Sequence, residues 1–417
     1  MTRTLRLGFT LGLWRDGPPD RLGELLTHAE SLGYDSVWAP EAYGSDCLTP
    51  LAWAAARTTR LRLGTAVMQI GARQPTAVAM AAATLDHLSD GRLVIGLGVS
   101  GPQVMEGWYG VPFSRPLARS REYVQIIRDA LRRDGPVAAT GRYYPLPASS
   151  SSRPLKLMLQ PKRGAIPILL GAEGPRNIEL AAEIADGWIP NYYSPRLDDM
   201  YRPLLAAGLA RARTPRSLAD FEIAPTVPVH ITGDPAAAIA AEQRRQAMTL
   251  GAMGAFHGNA ATRIGYPDAV AAIQRHWRAH DHEAAAAAVP AALIEDVALI
   301  GTRAQVRDRL AAWRESLATT VIARVTTLEQ LRLTAEAVLG LATCGADHRG
   351  DPRLPAAARL RAWRRRASRR AGGAQDPDRQ RPSPRLAVKA GVHRGGAVRS
   401  LRRRAVARPA DPVTPSG

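Results

Sequence analysis

Residues 61–98 read LRLGTAVMQIGARQPTAVAMAAATLDHLSDGRLVIGLG. Both ends are short apolar runs of strand length, LRLGTAV (61–67) and LVIGL (93–97). Between them Pro75–Leu88 is Ala-rich and opens with proline, whose missing N–H and fixed φ suit a first helical turn. Strands separated by a helix of this length run parallel, because an antiparallel pair needs only a tight turn. The same unit stands upstream. LRLGFT (5–10) reads as a strand, and Arg21–Leu32 as a helix with Asp20 as N-cap and Gly33 just past its end. SVWA (36–39) is a second strand, followed by helical Pro50–Arg57. Four such units within the first hundred residues predict a parallel sheet covered by helices.

The alternation continues downstream, with helices over 118–131, 177–184 and 305–316, the last with Thr302 as N-cap. Further strands are predicted at 168–170, 188–189, within 221–231 and at 319–325. Eight units favour a closed (β/α)8 TIM barrel over an open doubly wound sheet. The first βα turn, GFTLGLWRDGPPD, lacks G-x-G-x-x-G, which argues against a Rossmann domain. Two insertions interrupt the rhythm. Residues 132–166, with several Gly and Pro and the run Ser149–Ser152, read as a hairpin and mobile loop, a candidate lid. Residues 235–290 read as Ala-rich helices broken at Gly251–Gly254.

The net charge of +19 over 417 residues suggests nucleic acid at first sight. It is concentrated, however: residues 343–417 hold 19 Lys+Arg against 5 Asp+Glu, while residues 1–342 hold 37 against 32. The division expected is therefore a barrel over 1–342 and a disordered Arg/Pro/Ala-rich tail over 343–417, too poor in large apolar residues to offset the entropy of ordering. That tail reads as a solvated extension in preference to a nucleic-acid-binding arm. Cys47 and Cys344 lie in unlike regions, so a disulfide is not expected and the cytoplasm is the expected compartment. No apolar stretch is long enough for a membrane span. His280 and His282 lack further ligand types nearby, so no metal is expected.

VWAPEAYGSD (37–46), LGTAVMQIGARQP (63–75), TLDHLSDGRLVIGLGVSGPQVMEGW (84–108), ILLGAEGPRNIELAAEIADGWIP (168–190) and VPAALIEDVALIGTRAQVRDRLAAWRE (289–315) stand in that order. Together they resemble the luciferase-like monooxygenase superfamily, most closely its F420-dependent oxidoreductase branch, over about residues 3–325. The resemblance implies a luciferase-like barrel that transfers hydride between C5 of a deazaflavin, coenzyme F420, and a small organic substrate. The alternative is an FMN-dependent monooxygenase using reduced flavin and O2. A weaker alternative is a degraded, non-catalytic paralogue with a nucleic-acid-binding tail. Relatives often dimerise, so a homodimer is expected.

The GAEGPR turn (171–176) has a reading of its own. A strand ends, and Pro175 opens a helix whose free N–H groups and positive dipole end suit a phosphate, although a plain βα turn has the same sequence character. By resemblance, Gly171, Glu173, Gly174, Pro175 and Arg176 surround the cofactor phosphate. The resemblance also implies that Ala66–Val67, matching a bulge where family members often have a non-prolyl cis peptide, backs its ring, and that Val99 and Ser100 lie beside it. Catalytic candidates are Glu41, at the end of the second strand where barrel active sites lie, Glu106 after the fourth, and Trp38, which stacks on a ring or packs. Trp108 and Tyr109 stack on a ring or pack in the core. Family members often carry a His after the acidic residue; here Ala42 stands there, which removes an obvious general base. Asp46 and Arg73 read as polar wall residues, and Arg73, Arg115, Arg119 and Arg121 either receive the polyglutamate tail of F420 or are solvated.

Overall fold

A computed structural model describes residues 4–340, so the expectations for the 343–417 tail lie outside the described residues. Its strands are β1 (Arg6–Thr10), β2 (Ser36–Ala39), β3 (Arg62–Thr65), β4 (Met68–Gln69), β5 (Leu93–Gly98), β6 (Ile168–Gly171), β7 (Gly187–Ile189), β8 (Glu222–Ile223), β9 (Thr226–Ile231), β10 (Leu299–Gly301) and β11 (Thr320–Arg324). All the pairings between them are parallel. β8 and β9 are one strand interrupted at Ala224–Pro225: β8 pairs with β7, and β9 pairs with β11. Since β11 also pairs with β1, the sheet closes in chain order with eight staves. β10 adds to the far end of β9, where β9 has run past β11.

Side-chain alternation along each stave separates two cores. Leu7 and Phe9 on β1, Ile95 and Leu97 on β5, and Val321 and Ala323 on β11 face the helices. Trp38, Val94, Leu169, Ile189, Ala224 and Ile322 face one another inside the barrel, with Ala66 and Val67 laid over them. Trp38 is the plug. It is fully buried, its indole N–H donates to Ser36 Oγ at 2.9 Å, and Gly64 leaves room for its ring: a Cβ on Gly64 would stand 2.1 Å from it. The expectation that Trp38 stacks on a bound ring is therefore corrected, because no face of it is open. Below the plug, Arg62 Nη2 lies 2.8 Å from Glu222 and 2.9 Å from Asp35, and Arg6 reaches the same Glu222 at 2.9 Å. This ion cluster closes the N-terminal end of the barrel.

The helices follow their caps. Pro75–Leu88 has the predicted bounds. Arg303–Glu315 begins on Thr302 in a capping box with Gln305. The first helix, Leu22–Ser31, starts at Arg21 in left-handed conformation and not at Asp20. Leu48–Ala55 starts earlier than expected because Asp46 Oδ1 accepts the N–H groups of Leu48 and Thr49, both at 2.8 Å. Gly254, at φ 84°, breaks Pro235–Ala252 from Ala255–Arg263. The segment after helix Pro116–Arg132 contains the expected hairpin only as one antiparallel bridge, Ala139 to Leu146. It is anchored to the side of the barrel at two places. Glu122 accepts N–H bonds from Arg142, Tyr143 and Tyr144, and Arg163 pairs with the fully buried Asp86. No helix among the described residues is long and apolar enough to cross a membrane.

Candidate active site

All eight staves deliver their C-terminal ends to one face, where the following loops form a mouth. Its floor is the Ala66–Val67 step, whose peptide is cis. Val67 is wedged between two glycines: a Cβ on Gly98 would stand 2.3 Å from its Cγ2, and one on Gly171 3.1 Å from its Cγ1. Any side chain at either position would lift the floor. Beside it, Val99 is half-buried and Ser100 is held at φ 59°, in the left-handed region. Pro102 opens a single helical turn to Met105.

Opposite the first stave, helix Pro175–Ile184 points its N-terminus at the mouth. No side chain caps it, and Gly174 is extended at φ −88°, ψ 151°. A Cβ on Gly174 would meet nothing within 4 Å, so the approach to the first-turn amides is open. Arg176 is exposed and forms no ion pair with any described residue. An uncapped helix start beside an unpaired guanidinium suits an anion such as a phosphate. Glu173 is half-buried just before it. Its carboxylate accepts the Asn191 N–H at 3.3 Å, its carbonyl accepts from Arg263 at 2.6 Å, and burial pushes its pKa up to about 7. Tyr192, Tyr201 and Arg263 share with it a cavity of about 50 Å³.

Glu41 stands two residues past β2 with its side chain only 3% exposed. Its carboxylate is engaged by Arg73 Nη1 at 2.7 Å and by the Gln69 N–H at 3.0 Å, while its carbonyl accepts from Gln69 Nε2 at 2.9 Å. Burial, and after it Glu41, pushes the Cys47 thiol up; the same two causes raise Tyr109. Glu41 is thus a fixed, paired charge. Glu106, the other acid candidate, is exposed and accepts the Phe113 N–H at 2.9 Å, which folds its own loop. Asp46 is the helix cap already described. Arg73 serves Glu41, Arg121 pairs with Glu183, Arg119 lies over Tyr143 and Arg115 is exposed, so most of the arginines expected to receive a cofactor tail are engaged elsewhere.

The sequence reading passed over the opposite wall. Arg324 at the end of β11 pairs with Glu242, which is 2% exposed. Gln246 donates to Glu242 at 2.8 Å and accepts from the Tyr192 hydroxyl at 2.7 Å. The only advance signal was an arginine ending a strand otherwise made of apolar residues and threonine. His282, in the HDH run, packs on Trp277 with ring centroids 4.3 Å apart. The described residues contain no group of three or more metal-ligating side chains.

A family model described as luciferase-like monooxygenase matches residues 8–320. A Mycobacterium tuberculosis protein that carries the provisional name of coenzyme F420-dependent oxidoreductase is 46% identical over 341 residues, covering 80% of this chain and 98% of its own. The F420-dependent tetrahydromethanopterin reductase of Methanopyrus kandleri shares the fold, with a TM-score of 0.64 at 23% identity over 80% of this chain and 99% of its own. An F420-dependent secondary alcohol dehydrogenase in complex with an F420–acetone adduct does so with a TM-score of 0.63 at 18% identity, over 80% and 99%.

Proposed function

The chain belongs to the luciferase-like monooxygenase family, and on that premise we propose that it is an F420-dependent oxidoreductase acting on a small organic substrate. The observation that carries this reading is the uncapped start of helix Pro175–Ile184, open above Gly174 and flanked by the unpaired Arg176. Its amides and Arg176 would hold the cofactor phosphate. Val67, propped between Gly98 and Gly171, would back the ring, with Val99 and Ser100 at its edge. F420, when bound, supplies hydride transfer at C5. The choice of F420 over FMN rests on the M. tuberculosis relative, matched along nearly its whole length.

The chain's own contribution is position and proton control. Arg73 pairs with the buried Glu41 and holds its carboxylate in place. Tyr109, raised by burial and by Glu41, keeps its hydroxyl proton near neutral pH and is the proton donor we assign to the substrate oxygen. This role replaces the missing His at Ala42. The working unit we propose is a cytoplasmic homodimer, with Trp53, Met80 and Leu88 as exposed apolar surface on two neighbouring helices.

Titration with F420 and with FMN, followed by fluorescence, tests the reading. Saturable F420 binding is expected, and Arg176→Ala should weaken it about 5- to 20-fold while sparing a deazaflavin chromophore that lacks the phosphate. Binding of FMN without F420, with oxygen uptake coupled to substrate hydroxylation, would replace it by the monooxygenase reading. No binding of either cofactor would refute both.

A further inference from the structure

Two arginines from two elements meet one carboxylate beside the mouth, and a third, from another loop, stands one helical turn away. Arg324 is an inward-facing residue of β11, since Ile322, two positions earlier, belongs to the barrel interior while Val321 and Ala323 face the helices. It takes the buried Glu242 of helix Pro235–Ala252. Arg245, one turn further along that helix, comes no nearer than 3.8 Å to Glu242, and its guanidinium makes no hydrogen bond to any described residue. Burial and then Arg324 push its pKa down to about 10. Arg15, in the β1 loop, reaches only the Met248 thioether, at 3.2 Å. His230 on β9 faces Glu242, Arg324 and Arg245, and burial lowers its pKa, so it adds no fixed charge. Pinning the helix to the barrel requires only the Arg324–Glu242 pair. Arg245, its side chain 46% exposed, and the exposed Arg15 are positive charge that this pair does not use.

We infer that Arg245, Arg324 and Arg15 receive an anionic oxygen group, a carboxylate, carried by the substrate. This rests on the proposed oxidoreductase reading and names its substrate class. The ring places the site. In the closed order of staves β6, which leads into the phosphate-binding helix, lies opposite β1, and β1 and β11 are neighbours. A cofactor with its phosphate at Pro175 and its ring over Val67 leaves the β1–β11 side for the second ligand. Arg15 also lines a groove of about 680 Å³ running between the β1 loop and Thr326–Leu328, directly after β11. Exposed apolar side chains stand nearby: Tyr43 and Trp108, 62% and 63% exposed, on loops, and Phe256, 38% exposed, in helix Ala255–Arg263. An acid with an aromatic or alkyl body matches both features.

The test is calorimetric binding of 4-phenylbutanoate and of the neutral 4-phenylbutanamide to the F420-loaded protein. The acid should bind at least tenfold more tightly than the amide. Arg245→Met should remove that preference without moving the amide affinity, Arg245→Lys should retain most of it, and Arg15→Met should reduce it. Thermal melts confirm that the variants are folded; Arg245→Met leaves the Arg324–Glu242 pair intact, and Arg15 lies in a loop. Equal binding of acid and amide, or binding of neither, overturns the inference. So does a loss of F420 affinity in Arg245→Met with full retention of the tail-less deazaflavin chromophore, since the anion is then the cofactor's own tail. If the protein takes no F420 at all, the oxidoreductase reading fails, while the acid–amide comparison on the unloaded protein still decides whether the arginines read a carboxylate.

Discussion

Replacing Glu173 by Gln should make the protein more stable in alkaline solution and leave it nearly unchanged in acid. Glu173 stands before the helix that opens at Pro175, and burial pushes its carboxyl up to about 7 from an ordinary 4.5, against smaller opposing effects of Asn191 and Arg263. The folded protein therefore keeps a proton that the unfolded chain gives up at lower pH. The associated stability is complete below about 4.5 and is lost as pH rises towards 7. At 1.36 kcal/mol per pH unit, the span from 4.5 to about 7 amounts to about 3 kcal/mol. Relaxation around a half-buried group lowers the figure to about 1–3 kcal/mol. Gln preserves shape and still accepts the Asn191 N–H, so it removes the ionisation and little else. Denaturant melts of wild type and Glu173→Gln at pH 5, 6, 7 and 8 read this directly. The variant should gain about 1–3 kcal/mol at pH 8 relative to its difference at pH 5. Parallel stability profiles across that range would refute the burial argument. Because an ionised Glu173 would repel a phosphate at the same helix start, F420 affinity should also fall between pH 6 and 8 in wild type and stay level in the variant.

Arg73→Met leaves Glu41 buried without its partner and should cost about 2–4 kcal/mol by denaturant melts. In Glu41→Gln/Arg73→Met the charge is gone, so the double variant should be less destabilised than the two singles added together. Gly64→Ala drives a methyl into the Trp38 ring and should lose about 2–4 kcal/mol, read as a lowered melting temperature. Trp38→Leu in the same chain should recover part of that loss; no recovery would mean that the clash lies elsewhere.

Much of the barrel was legible from local pattern. Pro75 and the Ala-rich run after it bounded a helix to the residue, and Thr302 announced Arg303–Glu315, because caps and helical periodicity are set by neighbours in the chain. The Pro175 turn was legible for the same reason: strand, glycine, proline and helix are contiguous. The choice for Trp38 between stacking and packing stayed open because all four residues of SVWA are buried, and a strand covered on both faces carries no alternation to say which side chains turn inward. The bonds that anchor 132–166, Glu122 to Arg142–Tyr144 and Asp86 to Arg163, were not legible because they join residues tens of positions apart.

The order of strands and helices, the parallel sheet and the phosphate-like helix start were thus written along the chain by itself, through the spacing of apolar residues and the chemistry of caps and turns. Closure of the ring was left to the tertiary structure, and with it the inward direction of Trp38, the pairing of Glu41 with Arg73, the pairing of Arg324 with Glu242 and the approach of Arg15 to Met248. Those contacts join residues that share no local pattern, and only the stagger of eight closed staves brings them to the same end of the barrel.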